Sequence, residues 1–176
     1  PRVKFDPPML ILSFDDSLAT EYTNALPIAA ARGVPCTSYT ITRFVGTSWG
    51  WERLTWGQIK ELRAAGWGIE DHTYSHHIPI TDFSDAELIQ DLQTVDAAFI
   101  AAGLPPPEHI SYPGTIADAR TVNIIKDFRV TGRGYSKQQN LDVRTIIEWD
   151  EPQYWDDPNG WYRIDQIGMG GDVMSE

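Results

Sequence analysis

Two histidines and two aspartates are the residues of this chain best suited to chemistry. His72 and His76 are four positions apart in Gly68-Ile69-Glu70-Asp71-His72-Thr73-Tyr74-Ser75-His76-His77, a spacing that puts two imidazoles on one face of a helical turn. Zinc sites use it to bring two nitrogen ligands to one ion. A third, hard ligand is available upstream, where the apolar run Leu10-Ile11-Leu12-Ser13-Phe14 ends abruptly in Asp15-Asp16. Two histidines and one carboxylate leave a zinc-like ion with open positions, the mark of a catalytic rather than a structural site. Such an ion lowers the pKa of water to about 7 and polarises carbonyl oxygens. Neighbouring strand residues point to opposite sides, so one aspartate can ligate while the other takes the proton of an attacking water. That division of labour suits hydrolysis of an amide or ester. Each half also has a plainer reading. His-x-x-x-His pairs occur in packed segments, and Asp15-Asp16 alone would serve as stabilising acids at a helix N-terminus.

The elements that must position these groups alternate between strand and helix. Met9 to Phe14 is a short, continuously apolar run, the pattern of a strand buried on both faces. Leu18 to Arg32 reads as a helix capped by Ser17 and kinked or divided at Pro27. Pro35 to Ile41 is a second strand, and Arg43 to Arg53 a loop carrying Trp49 and Trp51. Thr55 caps a helix from Trp56 to Ala65, and Trp67 to Glu70 is a third strand with the histidines just past its end. Ile78 to Phe83 is expected to cross the surface. Ser84 caps the clearest helix, to about Ala102, with Glu87 set for a capping box and Leu88, Leu92, Val95 and Phe99 along one face. His109 to Ser111 forms a brief strand ending in Tyr112-Pro113-Gly114. Ala117 to Phe128 is helical, Val130 to Tyr135 a strand and Ile146 to Trp149 a sixth; Tyr162 to Ile167 follows a Pro-, Asp- and Trp-rich loop. This alternation implies an α/β fold with a parallel sheet, closed as a barrel or open and doubly wound. The reactive groups all follow strands, which is where α/β folds bind ligands. No Gly-rich phosphate loop is present, so a nucleotide fold is the weaker choice.

Composition narrows the partners. At 176 residues the chain is expected to be one domain with a substantial core. A formal charge of −11 argues against DNA or RNA, whose phosphates require a basic face. No segment approaches the roughly 20 apolar residues of a membrane span. Pro1-Arg2-Val3-Lys4 shows no signal-peptide pattern, and the absence of an initiator Met leads us to expect a processed or trimmed chain. The single Cys36 excludes an internal disulfide. Seven Trp and seven Tyr are many for this length; Trp49, Trp51 and Trp155 could stack on sugar rings or simply pin loops.

Ser13-Phe14-Asp15-Asp16 together with His72-Thr73-Tyr74-Ser75-His76 resembles the first two motifs of the polysaccharide deacetylase family (the NodB homology domain), Thr-Phe-Asp-Asp and His-Ser/Thr-x-x-His. The flanks Leu54-Thr55-Trp56-Gly57-Gln58-Ile59-Lys60-Glu61-Leu62 and Ala65-Gly66-Trp67-Gly68-Ile69 resemble that family's approach to the histidines, and the likeness runs from about Leu10 to Tyr135. It implies a distorted (β/α) barrel of fewer than eight strands; the strand and helix count, short of closing a barrel, leads us to expect it incomplete at the C-terminus. By matching positions it implies Asp15 as general base and Asp16, His72 and His76 as ligands of a divalent metal, zinc foremost, with Co²⁺, Ni²⁺ or Mn²⁺ as alternatives. It further implies an acetylated carbohydrate as substrate and a secreted or cell-envelope location.

The third family motif, usually Arg-x-Pro-Tyr, departs here. Ser111 stands in the arginine position and Gly114 in the tyrosine position, within Ser111-Tyr112-Pro113-Gly114. The oxyanion contact expected of Tyr112-Pro113-Gly114 is a backbone N–H, which Gly114 can still donate. Arg133, on the next strand, is expected to reach across and replace the arginine that orients the base; a surface or loop-pairing role is the plainer alternative. The family's last motif, a Leu-x-His supplying a general acid, is absent, which a shortened chain or a different acid would explain. His77 is expected to be an exposed neighbour and His109 to pack ordinarily. Two other readings stay open: a same-fold hydrolase of small non-sugar amides, and a carbohydrate-binding domain that has lost catalysis.

Overall fold

The computed structural model describes residues 11–48, 50–135 and 163–166. The elements are β1 (Leu12–Phe14), α1 (Leu26–Ala30), β2 (Cys36–Thr40), α2 (Trp56–Ala64), β3 (Gly68–Asp71), α3 (Asp85–Ala101), β4 (His109–Ser111), α4 (Ala119–Ile125), β5 (Thr131–Tyr135) and β6 (Arg163–Gln166). Every strand pair is parallel, and the spatial order β1-β2-β3-β4-β5-β6 repeats the chain order. A doubly wound sheet reverses its strand order at a switch point. This sheet never reverses, which is the winding of a (β/α) barrel. With six strands among the described residues, it is a distorted barrel short of eight.

Local sequence chemistry explains the helices. Thr55 and Gln58 form a reciprocal capping box at the start of α2, and Ser84 and Glu87 form another at α3. Asp118 and Thr121 do the same for α4. The stripe Leu88, Leu92, Val95 and Phe99 of α3 is fully buried. It divides between two core clusters, one around Leu54, Ile59, Leu62, Trp67 and Ile69, the other around Ile80, Ile110, Tyr112 and Ile125.

Several expectations are corrected. Of the expected strand Met9 to Phe14, residues 9 and 10 lie outside the described residues. The described part is not buried on both faces: Ile11 is 67% exposed and Leu12 39%, with β1 having a neighbour on one side only among the described strands. The Leu18 to Arg32 helix does divide at Pro27, which lies in the first turn of α1 behind a π-helical turn, Glu21–Ala25. Ser17 does not cap it. Ser17 has φ +50°, and its carbonyl accepts the Leu54 N–H at 2.8 Å, since Leu18 bridges antiparallel to Arg53. The segment after Ile78 does not simply cross the surface, because Ile80 is buried in the second cluster. The expected strand Ile146 to Trp149 lies outside the described residues, as do Trp49 and Trp155. Trp51 is 73% exposed.

Candidate active site

The carboxyl ends of β1, β3 and β4 meet at one place. After Phe14 the chain leaves the strand and turns at Asp16 (φ +73°) and Ser17 (φ +50°), both left-handed, a conformation unfavourable for residues with a side chain. The corner is held from outside. Arg53 donates from Nη1 to the Asp16 carbonyl at 2.5 Å, and the Leu18 N–H donates to Glu21 Oε1 at 2.8 Å. Asp15 and Asp16 therefore diverge because of a turn, not because of strand pleat.

The histidines are brought together differently from the helical expectation. Residues 72–79 form no helix; Thr73 (φ +65°) and His76 (φ +55°) turn the chain twice. The His72 and His76 rings end 4.9 Å apart, centre to centre. The Nε2 atoms of His72 and His76 lie 3.6 Å and 3.3 Å from Asp16 Oδ1, and one ligand atom from each of the three residues falls within 4.8 Å of the others. Ligands about 2.0–2.1 Å from a tetrahedral ion stand roughly 3.4 Å apart, so the donor set fits a divalent ion. His72 Nδ1 is 2.7 Å from the Ser111 carbonyl. A carbonyl only accepts, so Nδ1 is the donor in this contact, and Nε2 is the nitrogen turned toward Asp16. Burial first, and the neighbouring His72 second, hold the His76 imidazole below its ordinary pKa. That favours the neutral form that can ligate.

Beside this cluster stands Asp15. Its Oδ1 is ion-paired with Arg133 Nη2, and its Oδ2 accepts from the Ser111 hydroxyl at 3.3 Å. Arg133 also donates to Ser111 Oγ at 2.7 Å. Its guanidinium carbon sits 4.7 Å from the centre of the Tyr39 ring, a cation–π distance. Ser111 and Arg133 are register partners on β4 and β5. A small serine at that position leaves room for the arginine of the next strand to reach the carboxylate.

The residues of the departing third motif and the other two histidines have these places. Gly114 has φ +61°, and a Cβ there would stand 2.8 Å from Ile78 Cγ2, so neither backbone nor space admits a tyrosine. Pro113 and Tyr112 are buried, and the Tyr112 ring is in the second core cluster, where it anchors the segment. His77 stacks on Phe83 at 4.6 Å, away from the Asp16 cluster. His109 packs with Nδ1 2.8 Å from Thr131 Oγ1.

Sequence reasoning missed Asp71, Asp91, Arg129, Arg53, Glu21 and Tyr39. Asp71 Oδ1 accepts the Thr73 N–H at 2.6 Å, and Oδ2 accepts from Arg129 Nε at 2.8 Å. Only for Asp91 was a signal available: it falls inside the apolar stripe of α3.

The chain matches the family model described as polysaccharide deacetylase over residues 2–132. It belongs to the polysaccharide deacetylase family. Over 133 residues it is 26% identical to the poly-beta-1,6-N-acetyl-D-glucosamine N-deacetylase of Staphylococcus aureus, covering 70% of this chain and 46% of that protein. The chain thus spans about half the length of the curated relatives it matches. Among solved structures, IcaB from Ammonifex degensii superposes with a TM-score of 0.66 at 23% identity, covering 70% of this chain and 58% of that one. The Streptococcus pyogenes deacetylase PplD, solved with acetate, superposes with a TM-score of 0.68 at 19% identity, covering 89% and 63%. At these identities the structures establish a shared deacetylase-family fold. No helix among the described residues is long and apolar enough to cross a membrane.

Proposed function

We propose that this chain is a divalent-metal-dependent hydrolase that removes acetyl groups from a carbohydrate, with N-acetylglucosamine polymers the first substrates to test. One observation carries the reading: a His-His-Asp donor set and a separately held Asp15 occupy the same strand ends. Asp16, His72 and His76 would hold the ion, zinc foremost, with Co²⁺, Ni²⁺ and Mn²⁺ as alternatives. When bound, such an ion supplies Lewis acidity toward a water and an acyl oxygen.

The protein's own groups divide the remaining work. Asp15 is the general base, taking one proton from the water that adds to the acetyl carbonyl carbon. Arg133 pairs with one Asp15 oxygen and the Ser111 hydroxyl donates to the other, which holds the carboxylate in one orientation. The Gly114 N–H donates to the acyl oxygen as negative charge grows on it. His72 is held in the ligating tautomer by the Ser111 carbonyl, so β4 serves both the base and the ion-holding side of the site. The likeness to a poly-beta-1,6-N-acetyl-D-glucosamine deacetylase supports an N-acetylated sugar polymer and a secreted or cell-envelope setting. Neither nucleic acid nor a membrane interior is a partner in this reading.

The test is acetate release from N-acetylglucosamine oligomers by zinc-loaded protein, with metal content measured on the same sample. Acetate release with bound zinc is the expected result. Zinc binding without acetate release points to a small non-sugar amide as substrate. Oligomer binding without zinc or turnover points to a carbohydrate-binding domain that has lost catalysis.

A further inference from the structure

The loop between the two histidines is gripped by a carboxylate from another element. Asp91 of α3 accepts the Tyr74 N–H on Oδ1 at 2.7 Å. Its Oδ2 accepts the Ser75 N–H at 3.1 Å and the Ser75 hydroxyl at 2.6 Å. Tyr74 and Ser75 lie in the middle of the His72-Thr73-Tyr74-Ser75-His76 segment, so one carboxylate fixes the backbone between both imidazoles.

The placement of Asp91 is costly by itself. It follows Leu88 by one helical turn and precedes Val95 by another, within the buried stripe of α3, and is 6% exposed. A buried carboxylate is unfavourable unless its oxygens receive hydrogen bonds, and three come from this loop. The loop needs such support in turn. Thr73 and His76 both adopt positive φ, which disfavours residues with a side chain, so the segment would relax without external donors and acceptors. Two further contacts cooperate: Thr73 Oγ1 accepts the His76 N–H at 2.9 Å, and Arg129 links Asp71 to Asp96 of α3 with contacts of 2.8 Å on each side. The helix therefore holds the loop directly through Asp91 and indirectly through Asp96, Arg129 and Asp71.

We propose that Asp91 is a positioning residue for the metal ligands: by holding the Tyr74-Ser75 backbone on α3 it sets the separation and aim of the His72 and His76 Nε2 atoms. This rests on reading Asp16, His72 and His76 as the ion-holding set. Outer partners that orient metal-ligating histidines are worth about 10- to 100-fold in affinity. Asp91→Asn replaces one acceptor oxygen by an NH₂ that faces a backbone N–H. Ser75→Ala removes one of the three bonds and leaves α3 untouched.

The test is titration of metal-free protein with Zn²⁺ by calorimetry, well below the melting temperature of each variant, with the Co²⁺ absorption spectrum as a second readout. Asp91→Asn is expected to bind Zn²⁺ about 10- to 100-fold more weakly and to change the Co²⁺ band intensities. Ser75→Ala is expected to lose roughly threefold, and it decides the matter if Asp91→Asn does not fold. A folded Asp91→Asn with a lower melting temperature but wild-type Zn²⁺ affinity overturns the proposal, since Asp91 would then only stabilise the fold. So does wild-type affinity in Ser75→Ala when Asp91→Asn cannot be measured. Wild-type protein that binds no Zn²⁺ overturns the metal reading itself, and this proposal with it.

Discussion

The guanidinium of Arg133 closes on the carboxylate of Asp15 across 118 positions of the chain, and the Ser111 hydroxyl lies between them, 2.7 Å from the arginine and 3.3 Å from the aspartate. Register accounts for this. Ser111 and Arg133 pair across β4 and β5, so a cation lost from one strand end can be supplied from the adjacent strand end and still reach the same carboxylate. The Tyr39 ring supports the guanidinium on its other side.

Arg133→Ala is expected to lower the turnover of acetylated substrate about 10- to 100-fold. This follows from roughly 1.5–3 kcal/mol for a hydrogen bond to a charged group, at 1.36 kcal/mol per decade of rate. KM should move little, because Arg133 touches Asp15 and Ser111 and acts through them. Wild-type turnover in this variant would remove Arg133 from the mechanism.

Metal removal provides a second test. Dialysis against a chelator should abolish acetate release and lower the melting temperature, because an ion bound only by the native state stabilises it by mass action. Added zinc should restore both. Asp16→Ala should show no restoration, since one of the three donors within 4.8 Å of each other is gone. Zinc affinity in Asp16→Ala equal to wild type would place the ion elsewhere.

Glu21 should make stability fall with rising pH. Burial pushes its carboxyl from the ordinary 4.5 up to about 8. Between those values the native state holds a proton that the unfolded state has released. Stability linked to this group is therefore complete below about 4.5 and is lost as pH rises toward 8. Melting curves at several pH values should show wild type losing ground to Glu21→Gln across that window and matching it at the acid end. Parallel curves throughout would mean that Glu21 does not titrate in this way.

Gly114→Ala is expected to destabilise the fold by about 1–2 kcal/mol from the left-handed backbone alone, with an added contact against Ile78 Cγ2 at 2.8 Å. The branched Ile78 side chain is stiff at χ1. Adding Ile78→Ala to Gly114→Ala should recover the contact part of the loss and leave the backbone part. Melting temperatures of the two single variants and the double variant separate these contributions.

Much of this protein was determined by sequence acting over short range. Capping boxes such as Thr55 with Gln58 and Ser84 with Glu87 are local hydrogen-bond patterns, and the Leu88-Leu92-Val95-Phe99 stripe follows from helical periodicity. Strand–helix alternation then required a parallel α/β fold with Asp15, Asp16 and His72 at strand ends, and motif spacing pointed to the His-His-Asp donor set. The spacing of His72 and His76 singled out two residues that do come together beside Asp16, but through another geometry, since a helical turn and a loop with two left-handed residues both bring positions four apart together. Only the tertiary structure decided that the loop, not a helix, presents them, because its shape depends on Asp71 and on Asp91 of the helix that follows. The same holds for Arg53 on the Asp16 carbonyl, for the burial of Glu21, and for the contact between Arg133 and Asp15. Those contacts depend on strand register and on elements far apart in the chain, and no local pattern encodes either one.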